Sequence, residues 1–199
     1  MENFNKKFDC IVVGNSPSLV GTNLGDIIDS YKTIIRVNMC NVPDIYSDTG
    51  IKTHIWATSL YDRVQKKFNI SKAKANSYIP PVLLDKEVWY RHPASRDYAK
   101  DFYSDNSINY KSITRPSYGY AVTGVMAILT AINRFKSIDI VGHTLYIESD
   151  GKTKTHNQDS YQEDGLITQR APQVNMIHSF YKEGNLNLLN PKEKLILFQ

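Results

Sequence analysis

The sequence predicts an α/β fold with a mostly parallel sheet flanked by helices, and three observations carry that expectation. Short apolar, β-branched runs such as Cys10-Ile-Val-Val13 and Thr33-Ile-Ile-Arg-Val37 recur along the chain, as suits strands covered on both faces. Helical patterns separate them, which is the rhythm of strand, crossover and parallel strand. The first run stops abruptly at Gly14-Asn15-Ser16-Pro17, a strand-to-helix joint of the kind at which open α/β sheets receive ligands.

Taken in order, strands are predicted over 10–13, 33–37, 53–57, 77–79, 137–141 and 185–189. Helices are predicted over 23–30, 59–68, 85–90, 95–103, 121–134 and 172–183. The stretch 121–134, AVTGVMAILTAINR, is the longest apolar helix and therefore a core element lying on the sheet. It leads by a crossover into the strand at 137–141. The middle of the chain, 83–118, is rich in charge and aromatic residues (Trp89, Tyr90, Tyr98, Phe102, Tyr103, Tyr110, Tyr118) and breaks the rhythm. It reads as an inserted helical lid or acceptor-side segment within a single Rossmann-like domain spanning 1–199. Its aromatic faces could stack on a ligand or form the core of the lid.

Composition narrows the classes. With 199 residues and 41% hydrophobic content, the chain can bury one sizeable core but not two full domains. The net charge of +4 favours an anionic partner, yet the basic residues are scattered, which argues against nucleic acid. No window has the run of about 18 apolar residues that spans a bilayer, and the amino terminus carries no export signal, so a soluble cytoplasmic protein is expected. The two cysteines, Cys10 and Cys40, read as buried reduced thiols. No DxD or metal-ligand cluster is evident, so neither metal nor other cofactor is expected.

The first turn has anion-binding chemistry. Ser16 is placed as a hydroxyl N-cap and Pro17 as the first helical residue, so amide N–H groups point into the turn. Gly14 permits close approach, and Asn15 offers both donor and acceptor. Alone, this is equally a capped corner; its glycine spacing is neither the dinucleotide fingerprint nor a P-loop. Arg36 sits inside an apolar strand, where its charge needs a partner from Asp29, Asp44 or Asp48, and Asn38 follows at the strand end. Thr123-Gly124 opens the apolar helix, where a hydroxyl and amides can hold a carboxylate, or the threonine simply caps.

These pieces carry a resemblance. Cys10-Ile-Val-Val-Gly14-Asn15-Ser16, Gly25-Asp-Ile-Ile-Asp29-Ser, Arg36-Val-Asn38 and Asp48-Thr-Gly50-Ile-Lys52-Thr53 resemble the large sialylmotif of animal-type sialyltransferases. The span 116–146, with Thr123-Gly124 heading a helix and Ile138-Asp-Ile-Val-Gly142 after it, resembles their small sialylmotif. The pattern Gly142-x-x-x-Tyr146 is similar to that of compact bacterial sialyltransferases that decorate lipooligosaccharide.

The resemblance implies a sialyltransferase-type nucleotide-binding fold and metal-free transfer of a nonulosonic acid from a CMP-activated donor to a hydroxyl of a cell-surface glycan. By matching position, Asn15 and Asn38 would contact CMP, Ser16 the phosphate region, and Thr123 and Gly124 the donor carboxylate or phosphate. Gly14 and Arg36 complete the expected donor site. Tyr146 would place a phenol at the leaving phosphate. The implied partners are the CMP-sugar and an oligosaccharide or glycolipid acceptor, with peripheral contact at the inner membrane face and a homo-oligomer within expectation. One departure stands out: related enzymes place a base histidine at the start of the last long helix, where this chain has Thr168-Gln169-Arg170. His156, in a polar loop beside Asp159, is the candidate base, whereas His178 reads as a half-buried helix residue. The alternatives are a CMP-Kdo-type transferase with Asp159 or Asp164 as nucleophile, or a non-catalytic nucleotide- or glycan-binding module that lacks a base. His92-Pro93 reads as a loop, and Arg91, Arg96, Lys100 and Arg115 as scattered surface charge or a rim for an anionic acceptor.

Overall fold

The computed structural model describes residues 4, 6–38, 45–58, 87–90, 110–113, 122–145 and 170–198. In chain order these form β1 (Cys10–Val13), a 3-10 turn (Pro17–Leu19), α1 (Gly25–Asp29), β2 (Thr33–Val37), α2 (Tyr46–Thr49), β3 (Ile55–Thr58), β4 (Glu87–Tyr90), β5 (Tyr110–Ser112), α3 (Thr123–Phe135), β6 (Ile138–Val141), α4 (Arg170–Lys182), β7 (Leu186–Leu188) and α5 (Pro191–Leu197). The strands make one seven-stranded sheet in the order β5-β4-β3-β2-β1-β6-β7. Every pair in it is parallel. The predicted α/β class therefore stands, with a fully parallel sheet among the described residues.

Alternation along the strands builds two cores. Cys10 and Val12, Ile35 and Val37, Ile138 and Ile140, and Leu186 and Leu188 point to the face covered by α3 and by Ile177 of α4. Ile11 and Val13, Ile34, Val141 and Leu189 point to the other, packed on Leu19, Leu24 and Ile28 around α1. Strand order steps one way from β1 to β2 and the other way from β1 to β6. Right-handed crossovers in opposite directions put their helices on opposite faces, so α1 and α4 lie on different sides. The reversal between β1 and β6 is the topological switch point of the sheet.

The carboxylate of Asp139 anchors the opposite, amino-terminal end of β6. Its Oδ2 accepts from the Phe8 and Lys7 amides at 2.9 and 3.1 Å and from the Tyr31 hydroxyl at 2.8 Å, while Asn187 donates to Oδ1. Asp139 is fully buried, and burial together with this carboxylate pushes the Tyr31 phenol well above its ordinary pKa.

Some expectations shift. The helix predicted over 85–90 is instead strand β4: Val88 and Trp89 are buried, and β4 pairs with β3 through Ile55–Glu87 to Thr58–Tyr90. A Val-Trp-Tyr run suits a pleated surface better than a helix, and Glu87 is tolerated because Arg134, at 2.8 Å, and Lys111, at 3.1 Å, neutralise it. Strand β5 extends the sheet further, so the described parts of 83–118 belong to the sheet and not to a helical lid. The short helices α2 and α5 are not among the predicted elements. The elements predicted over 59–68, 77–79 and 95–103 lie outside the described residues. No described helix is long and apolar enough to cross a membrane.

Asp139→Ala leaves four donors without their acceptor and should lower the unfolding free energy by about 3 kcal/mol. Urea denaturation with an unchanged slope would register this, and a loss under about 1 kcal/mol would contradict the anchoring role.

Candidate functional site

The carboxyl ends of β2, β1 and β6 lie side by side at the switch point, and each ends in a sharp turn. After β2, Asn38 takes the left-handed region at φ 52°, and after β6, Gly142 and Leu145 do so at φ 75° and 50°. A leucine in that region is strained, a state that clusters at functional sites. The Asn38 turn is fixed by its amide bonding to Ala57 O at 2.7 Å and by the Trp56 indole donating to Asn38 O at 2.6 Å.

The turns after β1 and β6 are welded together. Gly14 N donates to Val141 O at 2.8 Å and Ser16 N to Gly142 O at 3.0 Å. A Cβ on Gly14 would collide with Gly142 O, and one on Gly142 would sit 2.7 Å from Gly14 O. Ser16 caps the short 3-10 turn as expected, with Pro17 at its first position, and its Oγ accepts from Ser18 N at 3.2 Å. The same hydroxyl bonds Thr144 Oγ1 at 2.8 Å. Ser16 is thus turned inward, and holds the two turns together.

The two sequence segments that lie more than a hundred residues apart meet at one side chain, His143. Its Cε1 would be 2.8 Å from a Cβ on Gly14 and 3.0 Å from one on Gly124. Both glycines are needed because the imidazole fills the space that their side chains would take. Thr123 and Gly124 are buried in the first turn of α3, which has no side-chain cap on its N-terminal amides; Gln173 Oε1 of α4 accepts from Val122 N just before it at 3.3 Å. Asn15 joins the third strand end, its Nδ2 donating to Val37 O at 2.9 Å. Gly14, Asn15, Ser16, Asn38, Thr123 and Gly124 therefore converge around the switch point.

Arg36 does not join them. Its guanidinium is buried, with Nε donating to Lys52 O at 2.8 Å and Asp29 Oδ1 3.6 Å from Nη2. Of its three candidate partners Asp29 is therefore the counter-charge, and Asp29 also accepts from the Ile51 and Lys52 amides. Asp48 instead accepts from Gly21 N and Asn23 N, both at 2.8 Å, and Asp44 lies outside the described residues. Tyr146, His156, Asp159, Asp164, Cys40, His92 and the basic residues Arg91, Arg96, Lys100 and Arg115 also lie outside them. His178 stacks on Phe198 with ring centroids 4.5 Å apart, in keeping with its reading as a half-buried helix residue. Burial pushes the Cys10 thiol up to about 12, which keeps it protonated and inert. Among the described residues no group of three His, Cys, Asp or Glu side chains is arranged to hold a metal ion.

Two residues at the site were missed in the sequence. His143 is buried, its Nε2 has no hydrogen-bond partner, and burial lowers its pKa to about 4 against the opposing pull of a bond to the Val12 backbone. Glu193 of α5 is fully buried and accepts from Gly142 N at 2.7 Å and Ser18 Oγ at 2.6 Å; burial raises its carboxyl to about 7 although these bonds pull it down. No local pattern marks His143, whose contacts with Gly14 and Gly124 come from far along the chain, and Lys192-Glu193-Lys194-Leu195 reads as an exposed helix.

Comparison with known proteins now becomes informative. Residues 3–84 match the family model of Glycosyltransferase family 29 (sialyltransferase). The fold is that of solved mammalian sialyltransferases. One was crystallised in complex with Gal-beta-1-3GalNAc-ortho-nitrophenol and is 14% identical, with a TM-score of 0.56; a second structure titled as a mammalian sialyltransferase is 15% identical with a TM-score of 0.58. Each alignment covers 91% of this chain and 68% of the other. The likeness to these structures is one of fold. No curated protein sequence is significantly similar to it. The family match takes in β1, the Gly14–Ser16 turn, β2 and Asn38, whereas α3, β6 and α5 lie beyond its end.

His143 and Glu193 give stability opposite dependences on pH. The raised Glu193 pKa favours the folded state fully below 4.5, and that contribution is lost as pH rises through about 7. The lowered His143 pKa leaves its contribution whole above 6.5, and it is lost as pH falls through about 4. Between 4.5 and 6.5 the two slopes oppose each other. Removing Glu193 as Glu193→Gln should expose the histidine slope, so that stability rises by about 2 kcal/mol with pH across that window. His143→Phe should expose the reverse slope, and denaturation curves at three pH values that show parallel behaviour for both variants would contradict the assignment.

Proposed function

We propose that this chain is a glycosyltransferase that moves a sialic acid-type nonulosonic acid from a CMP-activated donor to a hydroxyl of a glycan. The observation that carries the reading is the convergence of Gly14–Ser16, Asn38 and Thr123–Gly124 at the switch point of a sialyltransferase-like sheet. That crevice combines polar amides, left-handed backbone and the N-terminal end of a 13-residue helix, which suits a nucleotide monophosphate and a carboxylate.

In this reading Asn15 and Asn38 face the cytidine monophosphate, and the first turn of α3, with Thr123 and Gly124, receives the donor carboxylate or phosphate. Gly14 lets the ligand approach the backbone. Ser16, which is bonded to Thr144, shapes the turn and does not reach the phosphate itself. Arg36 acts at a distance, by holding β2 to the segment around Asp29 and Lys52. For the chemical step, the acceptor hydroxyl loses its proton to His156 and attacks the anomeric carbon while the bond to the phosphate oxygen breaks. Negative charge develops on departing CMP, and Tyr146 donates a hydrogen bond to it. The proposal needs no metal or other cofactor. The acceptor is an oligosaccharide or glycolipid of the cell surface, met by a cytoplasmic enzyme at the inner membrane face.

Calorimetry with CMP tests the site directly. Asn38→Gly keeps the left-handed backbone while deleting the amide, and should weaken CMP binding about tenfold or more. Release of CMP from CMP-sialic acid and from CMP-Kdo, with and without acceptor glycans, then separates the readings. Turnover of CMP-sialic acid, cut about a hundredfold in His156→Ala with CMP affinity unchanged, is the expected result. Turnover of CMP-Kdo alone would replace the donor, CMP binding without turnover would leave a binding module, and no CMP binding by the unaltered chain would refute the nucleotide site.

A further inference from the structure

Glu193 is fully buried, and the bonds of its carboxyl group all lead to the switch point. It belongs to α5, which begins with Asn190 as N-cap and Pro191 in the first turn. Its Oε1 accepts from Ser18 Oγ at 2.6 Å and Gly142 N at 2.7 Å, and Oε2 from His143 N at 3.4 Å. Asn190 adds a second tie to the same turn, its Nδ2 donating to Ser18 O at 3.1 Å. Ser18 lies in the turn after β1, and Gly142 and His143 in the turn after β6. One carboxyl group therefore grips both turns.

A buried carboxyl is a costly way to fill space, because its desolvation must be offset by bonds. An apolar residue would pack α5 just as well, as Ile196 and Leu197 of the same helix do. What an apolar residue could not do is satisfy two backbone amides and a hydroxyl from two separate turns at once. The consequence falls on geometry: the Gly142 amide fixes the orientation of the peptide leading into His143, and the Ser18 hydroxyl fixes the 3-10 turn capped by Ser16.

We infer that Glu193 is a positioning residue for the donor site, setting the relative placement of the 16–19 and 142–145 turns on which nucleotide binding depends. The inference rests on the CMP reading proposed above for its ligand, but the clamp itself can be read without one.

The experiment compares Glu193→Leu, Glu193→Gln and Asp139→Ala, the last removing a buried carboxylate from the opposite end of β6. CMP affinity is measured by calorimetry and backbone exchange by NMR on the full chain, below the melting temperature of every variant. Glu193→Leu should weaken CMP binding about tenfold or more, Glu193→Gln, which keeps an acceptor oxygen, should recover most of it, and Asp139→Ala should bind within about twofold of the unaltered chain. Amide exchange should quicken across 16–19 and 142–145 in Glu193→Leu and stay unchanged there in Asp139→Ala. Equal CMP affinity in Glu193→Leu, or an equal loss in Asp139→Ala, overturns the positioning role by showing no effect or a merely structural one. Should the unaltered chain fail to bind CMP, the donor reading fails by itself. Exchange then decides the clamp: quickening across both turns supports it, and unchanged protection at Ser16, Thr144 and Leu145 overturns it.

Discussion

The constraint on which this structure depends is the approach of two peptide backbones, at Gly14 and Gly142, where the sheet reverses direction. Neither position can carry a Cβ, so the turns after β1 and β6 bond straight to each other through Gly14 N–Val141 O and Ser16 N–Gly142 O. Parallel strands elsewhere in a sheet diverge past their last ladder bond, because each chain departs into its own crossover. Here the divergence is postponed by one turn. The turns after β1 and β6 therefore share one junction of backbone bonds, and groups from sequence positions far apart can be held at fixed separations.

That closeness has an electrostatic consequence. The space next to the paired glycines is filled by His143, whose burial keeps it neutral well below pH 7, and Arg36, two residues before Asn38, is occupied with Asp29 and Lys52. Among the described residues that converge on the crevice, none is a cation. In the proposed reading, what these described residues offer an anion is amides, the amino end of α3 and neutral side chains. Such donors are fixed by the backbone and need no reorganisation as charge shifts from a sugar bond to a leaving phosphate, which is the property that favours electrostatic stabilisation in a transfer reaction.

The central sheet was legible because buried parallel strands carry a plain signal: Cys10–Val13, Thr33–Val37 and Ile138–Val141 are short, mostly apolar runs buried on both faces. The Ser16-Pro17 cap was legible too, and the buried charge of Arg36 demanded an acidic partner, which the sequence narrowed to Asp29, Asp44 or Asp48 and the structure resolves as Asp29. Glu87–Tyr90 was misread because its three apolar residues follow charged ones, a pattern that a helix end and an edge-side strand share until the neighbouring strand is known. Glu193 and His143 were out of reach for a different reason. Their roles arise from contacts 50 residues apart, Glu193 with Gly142 and His143, and no local pattern distinguishes a buried glutamate at the third position of a helix from a solvated one.

The division of the site along the chain bears on how its parts cooperate. The segment that resembles family 29 by sequence, 3–84, contributes Gly14, Asn15, Ser16 and Asn38, whereas α3, β6 and α5 contribute Thr123, Gly124, His143 and Glu193. Neither group is complete without the other: Ser16 needs Thr144, Ser18 needs Glu193, and Gly14 needs the carbonyls of β6 and the turn after it. Each bond crosses between the two segments and none can be replaced locally, because the donor or acceptor is buried. A substitution in α5 therefore acts on the first turn of the chain as directly as a substitution in that turn, through a helix that no feature of the amino-terminal segment anticipates.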